Sequence, residues 1–127
     1  MSDAITRGIR VAVQGEYRPA DSEPEAAVYV FAYHVRISNH GKEPVRLLNR
    51  HWIITDAEGH KEEVRGPGVV GQQPTIQPGE TFTYSSFCPL RTPVGSMQGS
   101  YQMVTRENET FDAIIAPFTL AQPGQLH

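Results

Sequence analysis

Gly66, Gly68 and Gly71 stand in the spacing G-x-G-x-x-G. Between a strand and a helix that pattern wraps backbone N–H groups around a pyrophosphate, with the helix N-terminus facing the anion. Here Gln72-Gln73-Pro74-Thr75-Ile76-Gln77-Pro78-Gly79 follows. Two prolines and a glycine so close together exclude a packed helix. The segment therefore reads as a wide loop crossing between sheets, where glycine supplies positive φ and close packing. The competing reading is an anion nest, built from successive N–H groups at Gly66, Gly68 and Gly71.

The other reactive residue types are scattered. A transition metal needs imidazoles or thiolates that converge, and His34, His40, His51, His60 and His127 show no H-x-H or H-x₃-H spacing. His34 and His51 could meet on neighbouring strands, but two ligands make a weak site. Asp56, Glu58, Glu62 and Glu63 form the one dense carboxylate group, which magnesium would want. On a hairpin they read as a solubilising edge. Ser85, Ser86 and Cys88 lack the G-x-S-x-G elbow of a serine hydrolase. Nothing beside Cys88 would lower its pKa, so a small buried thiol is expected. No metal, cofactor or catalytic residue is assigned, and the chain reads as a non-enzyme.

These residues have to be placed by strands. Ile9, Val11 and Val13 alternate with polar residues, as in a half-buried strand. A second strand spans about 27–38, with Tyr29, Phe31, Tyr33, Val35 and Ile37 on its inward face. A third spans about 45–55. If Trp52 points inward there, so do Leu48, Arg50 and Ile54, with Arg50 reaching the rim or a bulge changing the phase. Asp56-Ala57-Glu58-Gly59 is a hairpin turn before a charged strand over 60–65. Further strands contain Phe82 and Tyr84, then run over 97–106 and 111–120. No window carries sustained helical periodicity. Seven short strands separated by turns predict an all-β, antiparallel two-sheet sandwich of immunoglobulin or fibronectin type III type. Trp52 is expected to fill the core, and Tyr101 falls where a tyrosine corner would sit.

The 127 residues suit one domain, with its core over about 9–120. A single cysteine forbids an internal disulfide and fits a reducing, cytoplasmic setting. The N-terminal residues lack a signal-peptide core, and no apolar run approaches membrane-spanning length. With a net charge of −3 and no basic stripe, nucleic acid is excluded as a partner.

Six segments carry a family likeness. Arg50-His51-Trp52-Ile53-Ile54-Thr55-Asp56 is followed by Glu62-Glu63-Val64-Arg65-Gly66-Pro67-Gly68-Val69-Val70-Gly71-Gln72-Gln73-Pro74. Pro78-Gly79-Glu80, Phe82-Thr83-Tyr84, Cys88-Pro89-Leu90 and Gly99-Ser100-Tyr101-Gln102-Met103 come after them. In this order and spacing the chain resembles the bacterial ApaG family over about residues 9–120. The resemblance implies a fibronectin type III-like fold and no catalytic residues. Related domains in F-box proteins and in a DNA-polymerase-delta-interacting protein imply binding to other proteins, and a family label for cobalt and magnesium handling implies a cation link.

The functional expectation is a cytoplasmic protein-interaction domain, a monomer or weak homodimer, with an unidentified protein partner. The alternative is a binding protein for a small anion, a nucleotide or a divalent cation. If the second strand turns its odd positions inward, Val28, Val30 and Ala32 face out. If Trp52 is inside, His51 and Ile53 face out. Val28, Val30, His51 and Ile53 are thus the partner-binding candidates, in two small patches if the two strands lie in different sheets.

Overall fold

The computed structural model describes residues 1–124; His127 lies outside the described residues. Among the described residues nine strands follow one another: β1 (Ser2–Thr6), β2 (Ile9–Tyr17), β3 (Tyr29–Asn39), β4 (Val45–Asp56), β5 (Lys61–Pro67), β6 (Thr75–Ile76), β7 (Thr81–Leu90), β8 (Val94–Thr105) and β9 (Thr110–Ala121). Two short 3-10 turns, Pro19–Asp21 and Pro24–Ala26, fill the proline-bounded loop before β3.

The strands sort into two antiparallel sheets. One runs β1-β2-β3-β7; the other runs β5-β4-β8-β9, with β6 added beside β4. Without β1 and β6, three strands lie in one layer and four in the other, the arrangement expected for a fibronectin type III domain. The two extra strands escape the sequence pattern for a simple reason. β1 alternates over only five residues, and β6 is two residues long. β1 is joined to β2 by a turn with Arg7 at φ 48° and Gly8 at φ 81°, the positive pair that a tight hairpin requires.

Alternation places the core. Phe31, Tyr33, Val35 and Ile37 of β3 face Trp52, Met97, Tyr101, Met103, Ile115 and Leu120 of the other layer, all buried in one cluster. Trp52 is 2 % exposed and meets the rings of Tyr33, Tyr101 and Phe118 edge-on, with centroids at 5.2, 6.1 and 6.1 Å, the favoured geometry for aromatic pairs. The Tyr101 hydroxyl does not bond back to its own backbone as a tyrosine corner would. It meets the hydroxyl of Tyr84 across the two layers.

Two details of phase differ from the sequence reading. The β4–β8 register shifts between Leu47 and Asn49, so Leu47 is fully buried and Leu48 is not. The bulge lets Val45 and Leu47 share the inward side with Arg50, Trp52 and Ile54 further along. The second difference is Ala32, which is buried at 3 % although it lies on the outer face of β3. It pairs laterally with Glu16 on β2 and Phe87 on β7, whose larger side chains flank its methyl group.

Turns are closed by side chains where the backbone needs partners. Asn39 is 1 % exposed, donates from Nδ2 to the carbonyls of Glu43 and Ile76, and accepts the Gly41 N–H at Oδ1. The Asp56 carboxylate accepts the N–H groups of Glu58 and His60 at 2.9 and 3.0 Å. Partial burial works against that carboxylate's charge. The two N–H groups and the nearby His60 outweigh it and hold its pKa below the usual value.

Candidate functional site

The glycine loop is tied down from three directions. Gly68 donates its N–H to the Leu48 carbonyl at 2.8 Å. Val69 and Gln72 exchange backbone bonds at 2.8 and 2.9 Å around Val70 (φ 42°) and Gly71 (φ 78°), a two-residue reverse turn. The buried Val69 side chain pins this turn to the core. Arg50 then donates from Nη1 to the carbonyls of Pro67 and Gly68 at 2.9 and 3.1 Å. The Gln73 amide donates to the Leu48 carbonyl at 2.9 Å. The N–H groups of Gly68, Val69 and Gln72 are thus consumed inside the protein, Pro67 has none, and Gly66 lies in the β4–β5 ladder opposite Arg50. A nest gathers free N–H donors onto one point; this loop instead gathers carbonyls onto a guanidinium. β6 follows the loop, where a nucleotide site would have a helix.

The histidines separate. His34 stands on the outer face of β3 and His51 on the outer face of β4, in different sheets, so the two strands are not neighbours. His51 Nε2 lies 3.1 Å from Glu63, and Arg65 donates to the same carboxylate at 3.2 Å. Both hold the Glu63 pKa below the usual carboxylate value. His60 lies 3.4 Å from Asp56 and is exposed with His40. Among the described residues no three His, Cys, Asp or Glu side chains are placed to hold a metal ion.

One constellation was not anticipated. His34 Nδ1 lies 2.7 Å from Ser85 Oγ, and His34 Nε2 lies 3.4 Å from Glu16 Oε1. The pairs Gln14–His34 and His34–Ser85 sit in register across β2, β3 and β7. The residue types are those of a hydrolase triad, but His34 and Glu16 stand on an open sheet face with about half of each side chain exposed. A triad works in a site that excludes water and offers donors to a developing oxyanion. This trio laces three strands together across their exposed face.

Cys88 is 2 % exposed, and burial, aided by the charge of Glu62, pushes its thiol up to about 12. Two outcomes follow. A thiol-directed reagent at pH 8 labels native protein far more slowly than denatured protein, because the thiolate is the nucleophile. On the alkaline side the folded thiol stays protonated above the unfolded value of 9.0. Its stabilisation is therefore complete below pH 9 and is lost as pH rises from 9 towards 12, at up to about 1.4 kcal/mol per pH unit. The buried phenols of Tyr84 and Tyr101, raised by desolvation in the same way, steepen that loss. A thermal melt series from pH 7 to pH 11 reads it directly; a flat Tm above pH 9 contradicts it.

The partner-binding candidates fall into two patches in different layers. His51 and Ile53 are half-buried on the outer face of β4, and His51 is engaged by Glu63. Val28 is 36 % exposed and Val30 half-buried at the start of β3. Beside them stands Phe87, 60 % exposed on β7, opposite Ala32, with Pro89 opposite Val30. The Arg18 guanidinium lies 6.0 Å from the Phe87 ring, near the limit of a cation–π contact. Phe87 is the residue that the sequence reading missed. The signal was available: with Phe82 and Tyr84 inward, period 2 turns Phe87 outward.

The fold is thus an antiparallel β-sandwich of fibronectin type III type, with a loop glycine cluster serving its packing and an apolar patch on one outer face. A profile of the ApaG domain matches residues 19–105. A curated protein ApaG from Anaeromyxobacter dehalogenans (strain 2CP-C) is 54% identical over 127 residues, spanning 100% of both chains. One from Azotobacter vinelandii is 56% identical over 119 residues, 94% of each chain. A crystal structure of a protein assigned as ApaA from Bordetella pertussis superposes with a TM-score of 0.90 at 51% identity, covering 92% of this chain and 95% of that one. The chain belongs to the ApaG domain family.

Proposed function

We propose that the chain is a non-enzymatic binding module that recognises another protein through the outer face of the β1-β2-β3-β7 sheet. The observation that carries this reading is Phe87, exposed beside Val28, Val30 and Pro89 and rimmed by Glu16, Arg18 and His34. An apolar patch with a polar rim is a usual mark of a protein interface, and an aromatic near its centre is a usual anchor. The glycine loop spends the N–H groups of Gly68, Val69 and Gln72 internally and turns carbonyls towards Arg50, and the Glu16–His34–Ser85 trio stands in the open. Both support binding over turnover. A cytoplasmic setting belongs to the same proposal, on the single buried thiol, Cys88.

The test is affinity capture from cell extract with the parent, Val30→Glu and, as a control on the opposite layer, Thr119→Glu. Val30→Glu loses the partner that the parent and Thr119→Glu retain, while all three melt alike. Retention of every partner by a folded Val30→Glu contradicts the reading. A rise in Tm with Co²⁺, Mg²⁺ or a nucleotide would move the function to the small-ligand class instead.

A further inference from the structure

The free edge of β7 differs from every other edge of the sandwich. β1 is short, and its Thr6 hydroxyl takes the Ile114 N–H of β9 at 3.1 Å, so these two edges lie against each other. β5 carries Lys61, Glu62, Glu63 and Arg65 within seven residues, the charge that usually keeps an edge from pairing. β7 is ten residues long and holds no charged residue at all.

The phase of the ladder shows which groups are free. Asn39 donates to the Glu80 carbonyl at 3.0 Å, just beyond the end of β7. On its other side β3 accepts the Arg18 N–H at the Val30 carbonyl. The odd residues of β3 therefore bond towards β7, and their partners there are Phe82, Tyr84, Ser86 and Cys88. Thr81, Thr83, Ser85 and Phe87 aim their N–H and C=O groups away from the sheet. Pro89 falls in the same outward set, where its missing N–H costs the β3 ladder nothing.

We propose that β7 pairs antiparallel with β7 of a second copy about a two-fold axis at Ser85, joining the two four-stranded sheets into one. The occupant follows from self-complementarity. Self-pairing sets like residues close to like, which a charged edge such as β5 punishes and the uncharged β7 does not. With Ser85 opposite Ser85 of the second copy, Thr83 meets its Phe87, and the free N–H and C=O groups of all three positions exchange. The ladder ends where Thr81 meets Pro89. On the inner side Tyr84 comes opposite Ser86 and Phe82 opposite Cys88, covering two aromatics that are half-buried in one copy. The pairing does not depend on the binding-module reading, since it uses the backbone edge rather than the face beside it.

The experiment is sedimentation of the full chain from about 1 μM to about 1 mM, with amide hydrogen exchange at both ends of the range. The parent dimerises with rising concentration. Ser85→Lys and Ser85→Glu, each with parent-like circular dichroism, stay monomeric, and their equimolar mixture dimerises again. The Thr83, Ser85 and Phe87 amides of the parent exchange at least about tenfold more slowly in the dimer. A parent that is monomeric throughout overturns the proposal, and so does a dimer that survives Ser85→Lys. Should the variants misfold, the parent's exchange decides alone: unchanged protection at those three amides overturns the pairing. Protection gained only on adding an extended peptide also overturns it, because the occupant is then not a second copy.

Discussion

Trp52→Ala lowers stability by about 3–5 kcal/mol, a fall in Tm of more than about 10 °C for a domain of this size. The side chain is 2 % exposed and touches aromatic rings of both layers, Tyr33 from β3 and Tyr101 and Phe118 from β8 and β9. Removing the indole leaves a void lined by rings held on separate sheets, which can collapse only by moving the sheets together. The indole N–H makes no hydrogen bond of ordinary geometry among the described residues, with the Tyr84 hydroxyl only a weak neighbour, so part of the cost of burying Trp52 is already carried by the native state. Trp52→Phe removes that unpaired donor and keeps a ring in place, and it costs well under half as much as Trp52→Ala. Thermal melts of the two variants and the parent measure both numbers. A Trp52→Ala protein melting within about 2 °C of the parent would remove Trp52 from the core.

Gly68→Ala is the second large effect, expected at about 2–5 kcal/mol. Gly68 has φ +61°, and an added Cβ would lie 2.2 Å from the Gln72 carbonyl oxygen. The left-handed backbone costs a substituted residue about 1–2 kcal/mol, and an overlap with backbone adds about 1–3 kcal/mol because the turn itself must shift. Gly71 has φ +78° but nothing within 4 Å of an added Cβ, so Gly71→Ala costs only the conformational part, about 1–2 kcal/mol. The two glycines are equivalent in the G-x-G-x-x-G pattern and unequal in the fold. Urea midpoints for the pair separate the readings: a marked gap, with Gly68 the costlier, is the packing result. Equal midpoints would mean that the loop's glycines are there for something other than this turn.

The sheets were legible because period 2 survives in β2, β3 and β7, where one face is apolar and the other polar. Trp52 was legible as a core residue for the same reason. A bulge in β4 was legible as one of two ways to place Arg50, but its position at Leu48 was not, since Leu47 and Leu48 are chemically alike and only tertiary pairing with β8 decides which one turns inward. Ala32 shows a second limit: alternation gives the face of a residue, and lateral neighbours such as Phe87 and Glu16 decide its exposure. The Glu16–His34–Ser85 trio joins residues 18 and 51 positions apart, so its contacts depend on a register that no local pattern carries. The glycine loop was legible as a loop from its prolines, whereas its clamp by Arg50 depends on the phase of β4 beyond the bulge.

The most direct measurement is site-specific photo-crosslinking in cells, with the photoreactive residue at position 87 and, separately, at position 119 on the opposite layer. The binding-module account predicts a discrete adduct with a different protein from position 87 and none from position 119. Equal labelling from both positions, or no protein adduct from position 87 in a folded chain, contradicts it.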